Sequence, residues 1–435
     1  MDLRVLFTGA IGLLAFIWYL IRENKRLQAE PSPQLVLQQI RSSDPTICAQ
    51  ILACKGYDNS GANNLYTPVK SRAIPNERLV RAFGIDNAFT TSDDKRRAEF
   101  GTEAKNAIRM TEAQWQKVAF FAEELVRQAV SSLKLTTVDQ TTSANLDSLV
   151  RSVCLKIILH VLFDLDPLGL DDRKISNITE GINNLWIQSK GTGMPVESDK
   201  HELQEALAQV IPQMERSIPC KSPLNLILPA YETLWRVVLS GFLQVTFVHG
   251  VSPILKSVLA RFLANPTITA RTERVHDPET STVSVDLIVK EALRLYPSVK
   301  RVYRQFHMEK RERPENIAAD IEACQRTKAL WGADAECFVP SRWNHASYEA
   351  KKSYMAFGVS PLGCPAKGEF GPMMIGILMA AFAGHVHFED WHLKLGEDSS
   401  DVAKRQLDRA LSGEEPLVSD RSTYEGIKII QKRSS

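Results

Sequence analysis

"AFGVSPLGCPAKG", residues 356–368, sets two prolines and three glycines around a single cysteine, Cys364. A nearly unbroken apolar run follows, "FGPMMIGILMAAFAG", from 370 to 384. A helix apolar on every side is a buried one, so this loop presents a thiol at the mouth of a buried helix. A thiolate just before a helix is stabilised by the unpaired N–H groups and the positive end of the dipole. Pro365 suits a first turn, where its missing N–H costs nothing. Small residues ahead of the sulfur let the backbone lie flat beneath a large planar ligand. Taken alone, the loop is also what a buried structural cysteine would show.

The rest of the chain narrows the choice. Its 435 residues are enough for a large core, and 44% apolar with 24% charged residues is ordinary globular composition. A net charge of +2, with no basic stripe interleaved with aromatics, gives no support to nucleic-acid binding. The seven cysteines are odd in number and scattered, with no CxxC pair. Neither a zinc site nor a disulfide framework is expected, and a reducing compartment fits.

Residues 5–21, "VLFTGAIGLLAFIWYLI", are 17 uncharged positions, the short end of a membrane-spanning helix. Trp18 and Tyr19 close the run, and Arg22, Lys25 and Arg26 follow with only Glu23 against them. The positive-inside rule then puts the body of the protein in the cytosol, behind an anchor in the endoplasmic reticulum membrane. No small-residue cleavage site follows, which argues against a cleaved signal peptide. The expected organisation is an anchor over 1–26, a proline linker over 27–34 containing "PSP", and one body over 35–435.

Helical periodicity dominates that body. Apolar residues recur at three and four through 111–133, 146–165 and 285–297, while 222–250 is apolar nearly all round and should cross the interior. Alternating strand signals are few, the best being 300–306 and 424–432; none is clear between 34 and 80. The fold class is mainly α with a minor β region, preceded by an N-terminal transmembrane helix. His160, on an apolar helix, reads as a core residue. No GxGxxG, GxxxxGK[ST], GxSxG or HExxH is present.

A soft anionic sulfur such as Cys364 suits haem iron. Seventy residues earlier, Glu291 and Arg294 stand three apart on one helix face and can pair. Between them and the cysteine lies "WGADAECFVPSRW", residues 331–343, with Arg342 as a third charge.

In this order the sequence resembles the cytochrome P-450 family of haem-thiolate monooxygenases: an ExxR helix, an F-x-P-x-R-W segment, then a Phe–Gly loop ending in Cys-Pro-Ala. Phe357 falls seven residues before the cysteine, and Arg301, in "YPSVKR", stands where a haem-propionate partner often sits. The style of the segments is similar to fungal microsomal members from secondary metabolism. The resemblance implies haem b with Cys364 as iron ligand, and a brace of Glu291, Arg294 and Arg342 behind the ligand loop. It also implies electrons from NADPH through a flavoprotein reductase, and one oxygen atom inserted into an apolar, terpenoid- or polyketide-like small molecule.

The chain departs from the family pattern at three places. Ser360 and Leu362 replace the glycine and the basic residue of FxxGxRxC, so Arg301 and the cluster Lys95, Arg96 and Arg97 are the candidates to meet the haem carboxylates. The WxxxR pattern is missing from that cluster. The oxygen-activation motif becomes "PAYET", in which Glu232 and Thr233 keep an acid and an alcohol for proton relay. Pro229 should open the helix there. Two alternatives remain: a haem-thiolate enzyme that rearranges or dehydrates without a reductase, and a haem-less membrane-tethered binding protein.

Overall fold

The computed structural model describes residues 40–58, 62–135, 143–191, 193–213, 218–277, 281–309, 311–397, 399–418 and 426–432. The expected anchor and linker, 1–34, lie outside the described residues. In chain order come β1 (Ile40–Ser42), α1 (Pro45–Leu52), α2 (Pro68–Phe83), α3 (Asp94–Ala107), α4 (Glu112–Leu135), β2 (Ser143–Asn145), α5 (Leu146–Phe163), α6 (Asp172–Gln188), α7 (Glu197–Val210), α8 (Leu224–Phe247) and α9 (Ile254–Ala264). The second half adds α10 (Ile268–Thr272), β3 (Val275–Asp277), β4 (Ser281–Val283), α11 (Val285–Leu295), β5 (Arg301–Phe306), β6 (Glu315–Asp320), α12 (Ile321–Gln325), α13 (Lys328–Trp331), α14 (Tyr348–Ser353), α15 (Phe370–His385), β7 (Trp391–Lys394), α16 (Asp401–Leu411) and β8 (Lys428–Gln431).

The helices expected from periodicity are α4, α5, α8 and α11, and β5 and β8 occupy the two best strand signals. Helix starts follow capping chemistry: Thr67, Asp93, Asp171 and Ser284 each accept a hydrogen bond from a first-turn N–H. The other six strands escaped sequence reading, β1 among them. β1 adds in parallel to β6, giving a sheet ordered β1-β6-β5, with Ile40 opposite Ile317. Three residues are too few to display an alternating pattern, so only the partner strand reveals it.

The core forms around α8 and α15, which pack on each other and on α4, α5, α9 and α11. α8 is long and apolar enough to cross a membrane, yet 72% of its most apolar window is buried inside the protein. It is the interior helix that its composition called for. α15 is likewise buried from Phe370 to Ala383, apart from half-buried Gly371. These two helices and the sheet fix where the cysteine loop must run.

Candidate active site

The loop closes on itself. Gly358, at φ 68°, takes the left-handed turn that a side chain would resist. Its N–H donates to Met355 O at 2.8 Å, the Leu362 N–H to Val359 O at 3.1 Å, and the Cys364 N–H to Phe357 O at 2.9 Å. The Phe357 ring rests against α15 at Gly371, where an added Cβ would lie 2.9 Å from Cε1 and 3.0 Å from the Ala366 carbonyl oxygen. The sulfur is not at the start of the long helix: Cys364 caps a three-residue 3₁₀ turn, Pro365–Lys367, and α15 begins at Phe370. Because a helix dipole acts only over the first turn, its help fails to reach the thiol. Burial pushes the Cys364 thiol up, and the Ala366 N–H opposes this only in part.

Behind the loop, Glu291, Arg294 and Arg342 come together. Arg294 donates through Nε and a terminal nitrogen to the two Glu291 oxygens, both at 2.8 Å, with both side chains fully buried. Glu291 also accepts from Arg342 Nε at 2.9 Å, the Val339 N–H at 3.0 Å and the Trp343 indole at 3.0 Å. Arg294 spends its remaining donors on the carbonyls of Gln325, Ala335 and Cys337. A buried pair survives desolvation only when its remaining lone pairs and protons are satisfied in this way.

Gln325, which sequence reading missed, carries the network to the loop. Its amide donates to the Leu293 and Arg294 carbonyls and accepts from the Met355 N–H at 2.8 Å. Met355 O in turn holds Gly358. A lone glutamine carries no motif; only the fold gives it this place.

Two of the candidate arginines pair with carboxylates nearby. Arg301, 44% exposed, lies 3.4 Å from Asp320, which also binds Arg41. Arg96 binds Asp86 at 3.3 Å and the carbonyls of Asp86 and Cys220. Each is already committed to a local carboxylate. The arginines left over are Arg72 on α2 and Arg304 on β5, which pack together and are 5% and 6% exposed. Arg72 Nε and one terminal nitrogen, and Arg304 Nε, are buried without a hydrogen-bond partner, whereas Arg97 Nε on α3 lies 3.6 Å from Asp94. Burial, with Arg304 and Arg97 alongside, pulls the Arg72 guanidinium down to about 9; burial lowers Arg304 too. α3 packs on the 3₁₀ turn that follows Cys364. The structure therefore holds two buried guanidinium groups packed together, Arg72 and Arg304, that no carboxylate among the described residues answers.

No protein-family model matches the chain. Two solved structures share its architecture. CYP175A1 of Thermus thermophilus gives a TM-score of 0.53 at 16% identity, covering 81% of this chain and 83% of that one. CYP154A1 of Streptomyces coelicolor A3(2) gives 0.51 at 16% identity, covering 83% and 86%. The fold is that of the cytochrome P450 family. In sequence, the chain is 32% identical over 99 residues to a putative cytochrome P450, cyp-13B1, of Caenorhabditis elegans. It is also 32% identical over 119 residues to indoleacetaldoxime dehydratase of Arabidopsis thaliana. These stretches are 20% and 25% of this chain, and it spans only 19% and 23% of the length of those relatives.

Haem, the cofactor of cytochrome P450 proteins, is planar, carries two carboxylates and takes a sulfur ligand. The residues present fit it. Cys364 would supply the sulfur, and the unanswered guanidinium groups of Arg72 and Arg304 are what two buried carboxylates require. Arg72 and Arg304 were invisible to motif reading, because Arg72 lies outside any family pattern and Arg304 stands three residues past Arg301. A metal cation at the sulfur reverses the effect of burial, since a coordinated thiol is deprotonated.

Glu232 and Thr233 lie in the first half of α8, Glu232 being 3% exposed. The helix does not open at Pro229; it runs unbroken from Leu224 to Phe247. Proline leaves the Asn225 carbonyl without its helical donor, and the Asn87 amide supplies one at 3.2 Å. The Asn225 side chain meanwhile accepts from the Asp86 N–H and donates to Pro219 O. The Thr233 hydroxyl donates to Pro229 O at 3.0 Å, a bond that a rotating hydroxyl can exchange for another acceptor.

Proposed function

We propose that this cytochrome P450 is a haem-thiolate monooxygenase that inserts one atom of dioxygen into an apolar small molecule, terpenoid- or polyketide-like, in secondary metabolism of the fungal microsomal type. The observation that carries the reading is the pairing of the Cys364 loop with the unanswered arginine cluster at Arg72 and Arg304. Bound haem would supply the activation of dioxygen, with electron density pushed from the sulfur. The protein's own part is positional. The brace of Glu291, Arg294, Arg342 and Gln325 holds the loop so that Cys364 stays aimed. The Gly371–Phe357 contact seats the loop on α15, and buried Glu232 with Thr233 moves protons within α8.

Electrons would come from NADPH through a flavoprotein reductase. A cleft of about 270 Å³ under the ligand loop supports this, lined by Arg271, Asp286, Lys290, Tyr354, Phe357 and Lys367. Three cations against one acid suit an acidic partner close to the ligand. We place the body in the cytosol at the endoplasmic reticulum membrane, on the run at 5–21 and the basic residues after it.

The deciding test is the spectrum of the reduced, carbon-monoxide-bound protein. A long-wavelength Soret band that Cys364→Ala abolishes is expected, and its survival in that variant would remove the assignment. The similarity to a protein named as a dehydratase favours one second reading, dehydration or rearrangement without a reductase. Turnover of substrate without NADPH or oxygen would establish that reading instead.

A further inference from the structure

The sheet β1-β6-β5 brings two cysteines side by side. β1 and β6 run parallel, with Ser42 opposite Ala319. At the same end of that ladder each strand turns into a helix capped by an aspartate. Asp44 accepts the Ile47 N–H at 2.9 Å, and Asp320 accepts the Ala323 N–H at 3.1 Å. A cysteine follows each cap four residues later, Cys48 on α1 and Cys324 on α12. Parallel strands with matched caps bring matched positions together. Both thiols are fully buried in one apolar cluster where α1 packs on α12; the Cys48 thiol donates to Ser42 O and the Cys324 thiol to Ser353 O. Cys324 draws the Cys48 thiol below its ordinary value, while Cys324 itself is pushed up. Cys48, which lies directly under the edge strand β1, is the thiol that an oxidant reaches first.

We propose that Cys48 and Cys324 form an oxidisable dithiol whose disulfide staples the N-terminal segment to the brace of the ligand loop. With hydrogen peroxide as oxidant, the Cys48 thiolate attacks one peroxide oxygen. The O–O bond breaks, and after proton uptake water and a sulfenic acid remain. Cys324 sulfur then attacks the sulfenic sulfur; the S–S bond forms, the S–O bond breaks, and the hydroxyl leaves as water with the Cys324 proton. Two thiols have lost two electrons, and one peroxide has become two waters. Access is through β1, a three-residue strand bonded to a single neighbour, whose Ile40 is 46% exposed and which covers Cys48 Sγ, 3.2 Å from Ser42 O. The next residue after Cys324 is Gln325, whose amide ties Arg294 to Met355. Oxidation thus fixes the element that positions the loop. In a reducing compartment such a bridge is transient and sensing rather than structural.

The test uses the full-length chain, reduced, freed of reductant, then given stoichiometric hydrogen peroxide and quenched with catalase. Alkylation after denaturation should show the loss of two of its seven thiols, restored by dithiothreitol, with a Cys48–Cys324 peptide in the digest. The melting temperature should rise on oxidation and fall back on reduction. Cys48→Ala and Cys324→Ala should each abolish the peptide and the shift, and the wild-type digest decides the matter even if a variant misfolds. Seven thiols remaining, a bridge between other cysteines, or sulfinic acid without a bridge would overturn the proposal. None of these readouts depends on haem chemistry, so they stand apart from the monooxygenase reading.

Discussion

Arg72→Met removes a charge from the cationic cluster while keeping the bulk of the side-chain stem. In the haem-free protein, burial pulls the Arg72 guanidinium down from its ordinary range to about 9. That drop corresponds to about 5 kcal/mol held against the fold when the group is charged. The figure is a ceiling, because a guanidinium relaxes toward water before it gives up its proton. Lowering a base's value in the folded state makes the unfolded chain bind more protons above about pH 9, so the cost is fully present at neutral pH and fades as pH rises through and beyond that value. Removing the charge should therefore stabilise the haem-free protein at pH 7 by roughly 2–3 kcal/mol, a rise of about 5 °C in Tm. In haem-loaded protein the sign reverses, because the carboxylates that need Arg72 lose a charged donor worth about 1.5–3 kcal/mol. Melting curves of both forms, and the rate of haem transfer to a scavenging apoprotein, check the two halves. Wild-type haem retention, or a haem-free variant less stable than wild type, would refute the assignment of the cluster to the haem carboxylates.

Four further outcomes follow from named contacts. Arg294→Lys should give little soluble, haem-loaded protein by spectroscopy, since one ammonium cannot meet the two Glu291 oxygens and three carbonyls; an uncompensated buried Glu291 costs about 3–5 kcal/mol. Gly371→Ala should distort the loop and speed haem loss; Phe357→Leu in the same chain should recover part of the retention, because only the ring of the two close neighbours can yield. Asn87→Ala should destabilise by about 1 kcal/mol in urea unfolding, and much less once Pro229→Ala restores a helical donor to Asn225 O. Thr233→Ala should keep the thiolate-type spectrum while NADPH consumption yields hydrogen peroxide in place of product, read by a coupled peroxide assay; tight coupling would move the relay elsewhere.

What this sequence determined by itself is what short-range spacing encodes. The recurrence of apolar residues at three and four specified α4, α5 and α11, and a long run apolar on every side specified α8, since helical neighbours are close in sequence. The Glu291–Arg294 pair was legible for the same reason: three residues on one helix must meet. Cys364 was legible through a dense local cluster of glycine and proline. The tertiary structure alone decided the rest, and each such feature joins residues distant along the chain. β1 exists because β6 lies beside it. Gln325 matters because α11, α12 and the loop converge on its amide. Asn87 repairs a helix whose sequence announces a break, and Arg301 and Arg96 meet Asp320 and Asp86 while Arg72 and Arg304 are buried without a carboxylate. Whether a buried charge is answered depends on which carboxylates the fold delivers to it, and no local pattern records that delivery.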